Sequence, residues 1–217
     1  MTISQKAVEL IVAQEDGSEA YYNKTENHWD WPGGASGPTI GVGYDCGYVT
    51  HDECLDDWTG IVDDATLQKI LYGVGKVGDM AHIFVLRNRL DVTVTWDQAL
   101  REFIDRELPK WEVRMAKALP NWDHLSGDCA GALLSIGYNR GISGFSSTLP
   151  RYREMFAITG MMRRGQWPLI IGEIVAMARL WPNVVDLRRR RALEAQLFAG
   201  GVADCKPLVV PGEEIIA

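Results

Sequence analysis

Apolar residues recur at helical spacing from the start of the chain. Ala7, Val8, Ile11 and Val12 share one face and Ser4 can cap them, so the spacing predicts a helix over about 4–15. Glu15 then sits near its last turn. The period stops over 16–50, where Gly, Asn and Tyr gather and Trp31-Pro32-Gly33-Gly34 and Gly37-Pro38 signal turns, so a small hairpin or short sheet is expected. Within that stretch Thr39-Ile-Gly-Val-Gly-Tyr-Asp45 alternates. If it is extended, Thr39, Gly41, Gly43 and Asp45 share one face, and Ile40, Val42 and Tyr44 share the other. The second face is apolar and can anchor on a core. The first carries a hydroxyl and a carboxylate with bare glycines between them, and strand glycines often mark a place where a ligand comes close.

From about residue 51 the pattern is helical. Helices are expected at 51–58, from a cap at Asp64 to near Gly73, at 79–90, and from the Thr95/Gln98 capping box to Pro109, which ends that helix or starts the next. Cys129–Tyr138 is apolar nearly all round and reads as a central buried helix. Further helices follow near 149–160, 167–180 and 183–199, the last capped at Gly200-Gly201. One short β segment and many helices predict an α+β protein, mostly α. The expected organisation is one domain over 1–205, with a small β-containing lobe at about 16–60, a helical lobe at about 61–201 and a tail at 206–217.

Composition narrows the options. A hydrophobic fraction of 47% excludes a disordered chain. Most of the eight Trp are expected in core packing, although a flat indole can also cover a sugar. No run approaches the ~20 apolar residues of a membrane span. The first residues lack the basic region of a secretory signal, so the chain is expected to be made in a cytoplasm and delivered if it acts outside. The net charge of −7 is uneven. Residues 1–108 hold 8 Lys/Arg and 19 Asp/Glu (−11), and residues 109–217 hold 14 and 10 (+4), which hints at an anionic partner for the second half. No basic domain or recognition motif points to nucleic acid. Cys46, Cys54, Cys129 and Cys205 have no framework spacing and read as free thiols, and neither His51/Cys54 nor His124/Cys129 has the paired spacing of a zinc site. Neither metal nor cofactor is expected.

Two carboxyl groups on opposite sides of a glycosidic bond are what glycoside hydrolysis usually needs, one as acid and one to hold water or act as nucleophile. Glu15, closing an apolar-faced helix, suits the acid. Asp45 suits the second carboxylate, and Thr39 on the same face could bond the water. Each has a plainer reading: a solvated helix end for Glu15, a turn residue for Asp45, a strand former for Thr39. The run Arg188–Arg191 points four ways on a helix, and solvated charges with ion pairs to the acidic first half are expected of it.

The blocks Glu15-Asp-Gly-Ser-Glu-Ala-Tyr-Tyr22, Trp31-Pro-Gly-Gly34 and Thr39-Ile-Gly-Val-Gly-Tyr-Asp45 resemble the phage-type lysozymes, most of all the pesticin-like branch. Ala130–Phe145 and Leu180–Gly200 resemble that family's central helix and its late Trp/Arg-rich helix, so the resemblance covers roughly 4–201. It implies a lysozyme-like fold and a muramidase that cuts the β-1,4 link between N-acetylmuramic acid and N-acetylglucosamine with inversion. It implies Glu15 as acid, Thr39 and Asp45 as holders of water, and Tyr138, Asn139 and Thr148 along the sugar cleft. The common phage pattern has an aspartate six residues before the threonine. Here that position is Gly33, which leaves Asp30 as a rival to Asp45, while Glu19 reads as a solvated neighbour of Glu15. The implied partner is peptidoglycan, met in the periplasm by a monomer, with no nucleic acid and no membrane insertion. An endolysin role is favoured over a bacteriocin or a secreted effector. A lytic transglycosylase and a non-catalytic wall-binding module on the same fold are the alternatives.

Overall fold

The computed structural model describes residues 3–15 and 17–208. Helices dominate. In chain order they and the two strands are α1 (Gln5–Glu15), α2 (Glu19–Thr25), β1 (Thr39–Ile40), β2 (Tyr44–Asp45), α3 (His51–Trp58), α4 (Asp64–Gly73), α5 (Asp79–Asn88), α6 (Trp96–Glu102), α7 (Leu108–Ala118), α8 (Gly127–Arg140), α9 (Arg153–Arg163), α10 (Trp167–Ala176) and α11 (Val185–Gly201). The strands pair antiparallel, as their three-residue connection requires, in a mostly helical α+β chain. Among the described residues no helix is long and apolar enough to cross a membrane.

The chain divides into two compact units, residues 12–109 and residues 1–11 with 110–217. The order of expected elements drew the lobes at about 16–60 and 61–201, whereas here α4, α5 and α6 group with the β segment. Most of the expected tail, 209–217, lies outside the described residues.

In unit 12–109 local signals set the helix starts. Capping boxes at Thr50/Glu53 and Thr95/Gln98 open α3 and α6, and Asp63, one residue before the expected cap, accepts from Thr66 to open α4. Each such cap contributes about 1 kcal/mol. The core gathers aromatics, among them two tyrosines whose hydroxyls are bonded. Tyr22 donates its hydroxyl to the Val94 carbonyl at 3.0 Å, Tyr44 donates to Asp57 at 2.9 Å, and Trp29 meets the edge of Phe84. Between α6 and α7 a wider π turn at Phe103–Glu107 carries the helix past Pro109, whose ring would otherwise crowd the carbonyl four residues back.

In the other unit α8 is the buried axis. Gly131 and Gly137 keep it slim: a Cβ at Gly131 would come within 2.0 Å of the Ala7 Cβ, and one at Gly137 within 2.6 Å of Met115 Sδ. α11 packs along it and continues through Gly200 and Gly201 into a 3-10 turn, Val202–Asp204, so these glycines do not cap the helix as expected. The solvated reading of the arginine run holds only for Arg188 and Arg189. Arg190 and Arg191 are buried with Glu194, whose carboxylate takes the guanidinium of each and the hydroxyl of Ser135 at 2.6 Å. Ion pairing wins there because α8 offers a buried hydroxyl and carbonyl that share the donors. Burial pushes the Glu194 carboxyl up, and the two guanidinium groups and Ser135 pull against it.

Candidate active site

α1 buries Ala7, Val8, Ile11 and Val12 and ends on Glu15. Gly17, at φ 72°, turns the chain, and Ser18 accepts from the Tyr21 N–H to start α2. This short helix replaces part of the sheet expected over 16–50. The polar side chain of Glu15 is half-buried, with Oε1 fully enclosed.

Thr39–Asp45 is not one continuous strand. It is a hairpin whose three central residues turn back, with Gly41 at φ 63° and Gly43 at φ 72°. The apolar set stays inside, with Ile40, Val42 and Tyr44 all buried. Thr39 and Asp45 share a face for a different reason from strand alternation: they are direct partners in the antiparallel register. On its other side Thr39 pairs with Asp30, exchanging both backbone hydrogen bonds at 2.8 and 2.9 Å. Directly opposed residues point the same way, so Asp30, Thr39 and Asp45 form one row with the hydroxyl in the middle. Because the Thr39 backbone groups are used toward Asp30, its pairing with Asp45 is of the non-hydrogen-bonded kind, in which side chains stand closer.

Glu15 and Thr39 line the same cleft, of about 330 Å³, together with Glu26, Asp30, Pro32, Ile40, Gly41 and Gly43. Asp45 is set back and held. Its Oδ1 accepts from Gly37 N–H at 3.0 Å and Gly47 N–H at 2.8 Å. A Cβ at Gly37 would come within 2.3 Å of that oxygen and 2.2 Å of Gly47 N, so the contact requires a bare backbone. The Thr39 hydroxyl donates to the Gly37 carbonyl at 3.3 Å. The Trp31–Gly34 turn is held by stacking of Trp31 on His82, with centroids 4.3 Å apart, and by its Nε1–H donating to the Ser36 carbonyl.

Glu26 was not anticipated from sequence. It follows α2 as its C-cap and faces the cleft, where burial and then the Asp30 charge push its carboxyl above the usual 4.5. Ser18 followed by Glu19, with Lys24 a turn and a half later, was the available signal for that helix. The remaining sequence candidates belong to the other unit. Tyr138, at the end of α8, is half-buried with its ring 4.8 Å from that of Trp111. Asn139 accepts from Arg191 at 3.2 Å through Oδ1, and Thr148 is exposed. Glu19 is exposed. Among the described residues no group of His, Cys, Asp and Glu could hold a metal ion.

A cleft lined by the Glu15, Glu26 and Asp30 carboxyls and the Thr39 hydroxyl, with Asp45 paired to Thr39 outside that lining, offers groups that can protonate a leaving oxygen and orient a water. No protein-family model matches the chain, and no curated protein matches it in sequence.

Proposed function

We propose that this chain is a peptidoglycan muramidase with a lysozyme-like fold, hydrolysing the β-1,4 bond between N-acetylmuramic acid and N-acetylglucosamine. The observation that carries the reading is that Glu15 lines one cleft with Thr39, and Thr39 stands between Asp30 and Asp45. Glu15 gives its proton to the leaving glycosidic oxygen. Thr39 and Asp45 hold a water for attack on the opposite face of the sugar, which inverts the anomeric carbon. The two amide donors on Asp45 support its assignment, because they fix its carboxylate before substrate arrives. Asp30 is the second reading for that role, favoured by its place on the cleft wall. The substrate is a polysaccharide of the cell wall, so the protein acts where that wall is exposed to it.

Mass spectrometry of digested peptidoglycan tests the proposal. Wild type is expected to release fragments with reducing muramic ends, and Glu15→Gln to release about 10²–10⁴-fold less. 1,6-Anhydro ends would make the enzyme a lytic transglycosylase. Equal digestion by Glu15→Gln would remove Glu15 from the mechanism, and wall binding without digestion by wild type would leave a binding module.

A further inference from the structure

The four cysteines are scattered in sequence, yet the fold gathers them two by two. In the unit built on α8, Cys129 lies fully buried in the first turn of that helix, and Cys205 follows the 3-10 turn beyond α11, half-exposed. The Cys129 thiol donates to the Phe198 carbonyl in α11 at 3.2 Å. Both cysteines are tied to Ser126. Its N–H donates to Cys205 Sγ at 3.5 Å, the Cys205 thiol donates to Ser126 Oγ at 3.9 Å, and that Oγ accepts from the Cys129 N–H at 3.2 Å. The approach is built into the backbone. A Cβ on Gly201 would come within 2.4 Å of Ser126 Oγ and 3.2 Å of Cys129 N, so a bare residue lets the end of α11 settle on the start of α8. Just past Cys205, the Lys206 N–H donates to the His124 carbonyl at 2.7 Å and its Nζ to the Asp123 carbonyl at 3.1 Å.

We propose that Cys129 and Cys205 are a modification site, forming an intramolecular disulfide when the folded protein meets a small or protein disulfide as oxidant. The inference stands apart from the proposed activity. Cys205, the exposed partner, loses its proton to solvent and attacks one sulfur of the oxidant. That S–S bond breaks, one thiolate leaves, and a mixed disulfide forms on Cys205. Cys129 then loses its proton and attacks Cys205 Sγ, expelling the second thiolate. The two cysteines give up two electrons and two protons, and the oxidant becomes two thiols. Burial pushes the Cys129 thiol up, which disfavours it as the first attacker, and in the second step its placement beside Ser126 with Cys205 offsets its small thiolate fraction. Cys46 and Cys54 provide an internal contrast. They too are neighbours, but both are fully buried, so neither can receive the oxidant while the chain is folded.

The test incubates the folded full chain with oxidised glutathione, then denatures, alkylates and maps it by mass spectrometry. The expected result is a 129–205 cross-linked peptide, loss of two of the four thiols, and a melting temperature roughly 5–10 °C above the reduced form. Cys205→Ser and Cys205→Ala are expected to fold, to lose both the cross-link and the shift, and to keep the Cys46 and Cys54 thiols. A glutathione adduct on Cys205 that never resolves, a 46–54 cross-link instead, or four thiols still free after exposure would each overturn the proposal.

Discussion

The two units treat their carboxylates in opposite ways. In the unit built on α8, acids are matched to guanidinium groups: Glu194 to Arg190 and Arg191, and Glu154 to Arg179 at 2.5 Å and Arg153 at 3.0 Å. Burial pushes the Glu154 carboxyl up, but the bond from Arg179 and the neighbouring positive charges outweigh it and hold it below its usual range. In unit 12–109 the cleft acids Glu15, Glu26 and Asp30 face the same space, and Glu26 is raised where Glu154 is lowered. Paired acids set helix packing. In the cleft, burial and then the Asp30 charge act together on Glu26.

Breaking the paired side should have the largest effect on stability. Arg191→Leu leaves Glu194 buried with one guanidinium fewer, and urea unfolding is expected to show a loss of about 3–5 kcal/mol. A loss under 1 kcal/mol would mean the network is relaxed and the contrast overstated.

The gathered side should answer in activity instead. Asp45→Asn keeps an oxygen for Gly37 and Gly47 while removing the charge. It is expected to lower wall digestion about 100-fold with an unchanged melting temperature. If Asp45→Asn stays active and Asp30→Asn loses that factor, the water-holding role moves to Asp30 and Asp45 is a clasp for the hairpin.

Gly37→Ala probes the clasp itself. The added methyl meets the Asp45 oxygen and the Gly47 amide, and a destabilisation of about 1–3 kcal/mol is expected by thermal melting, together with reduced activity. An unchanged melting temperature would show that the hairpin shifts freely.

Glu26→Gln should show the smallest effect. A carboxyl raised in the folded state favours folding below its unfolded value near 4.5, and that contribution is lost as pH rises through the shifted one. At neutral pH the charged Glu26 is therefore a mild burden. Its replacement is expected to raise the melting temperature by about 1–2 °C at pH 7 and not at pH 4, the group being only partly buried. A fall at pH 7 would show that Glu26 makes a favourable bond in the cleft.

Most helices were legible because their caps and periods are local. The Thr95/Gln98 box and the apolar run of α8 name their own elements. Glu15 was legible for the same reason, closing a period, whereas Thr39 was reached through an alternation that the turn at 41–43 replaces. What was hidden depends on distant pairing. The row Asp30–Thr39–Asp45 needs three segments in register, and no period in 30–39 announces the first of them. Burial of Arg190 and Arg191 depends on Ser135 in α8, 55 residues away from Arg190. The meeting of Cys129 with Cys205 likewise depends on where the end of α11 comes to rest.

The two glycines of the hairpin turn are not equivalent. Gly41 is hemmed in by Trp58, 3.2 Å from where its Cβ would stand, whereas Gly43 is exposed and faces the cleft. Its left-handed backbone is one that asparagine adopts readily. Packing therefore bars a side chain at Gly41, whereas any side chain placed at Gly43 would border the cleft.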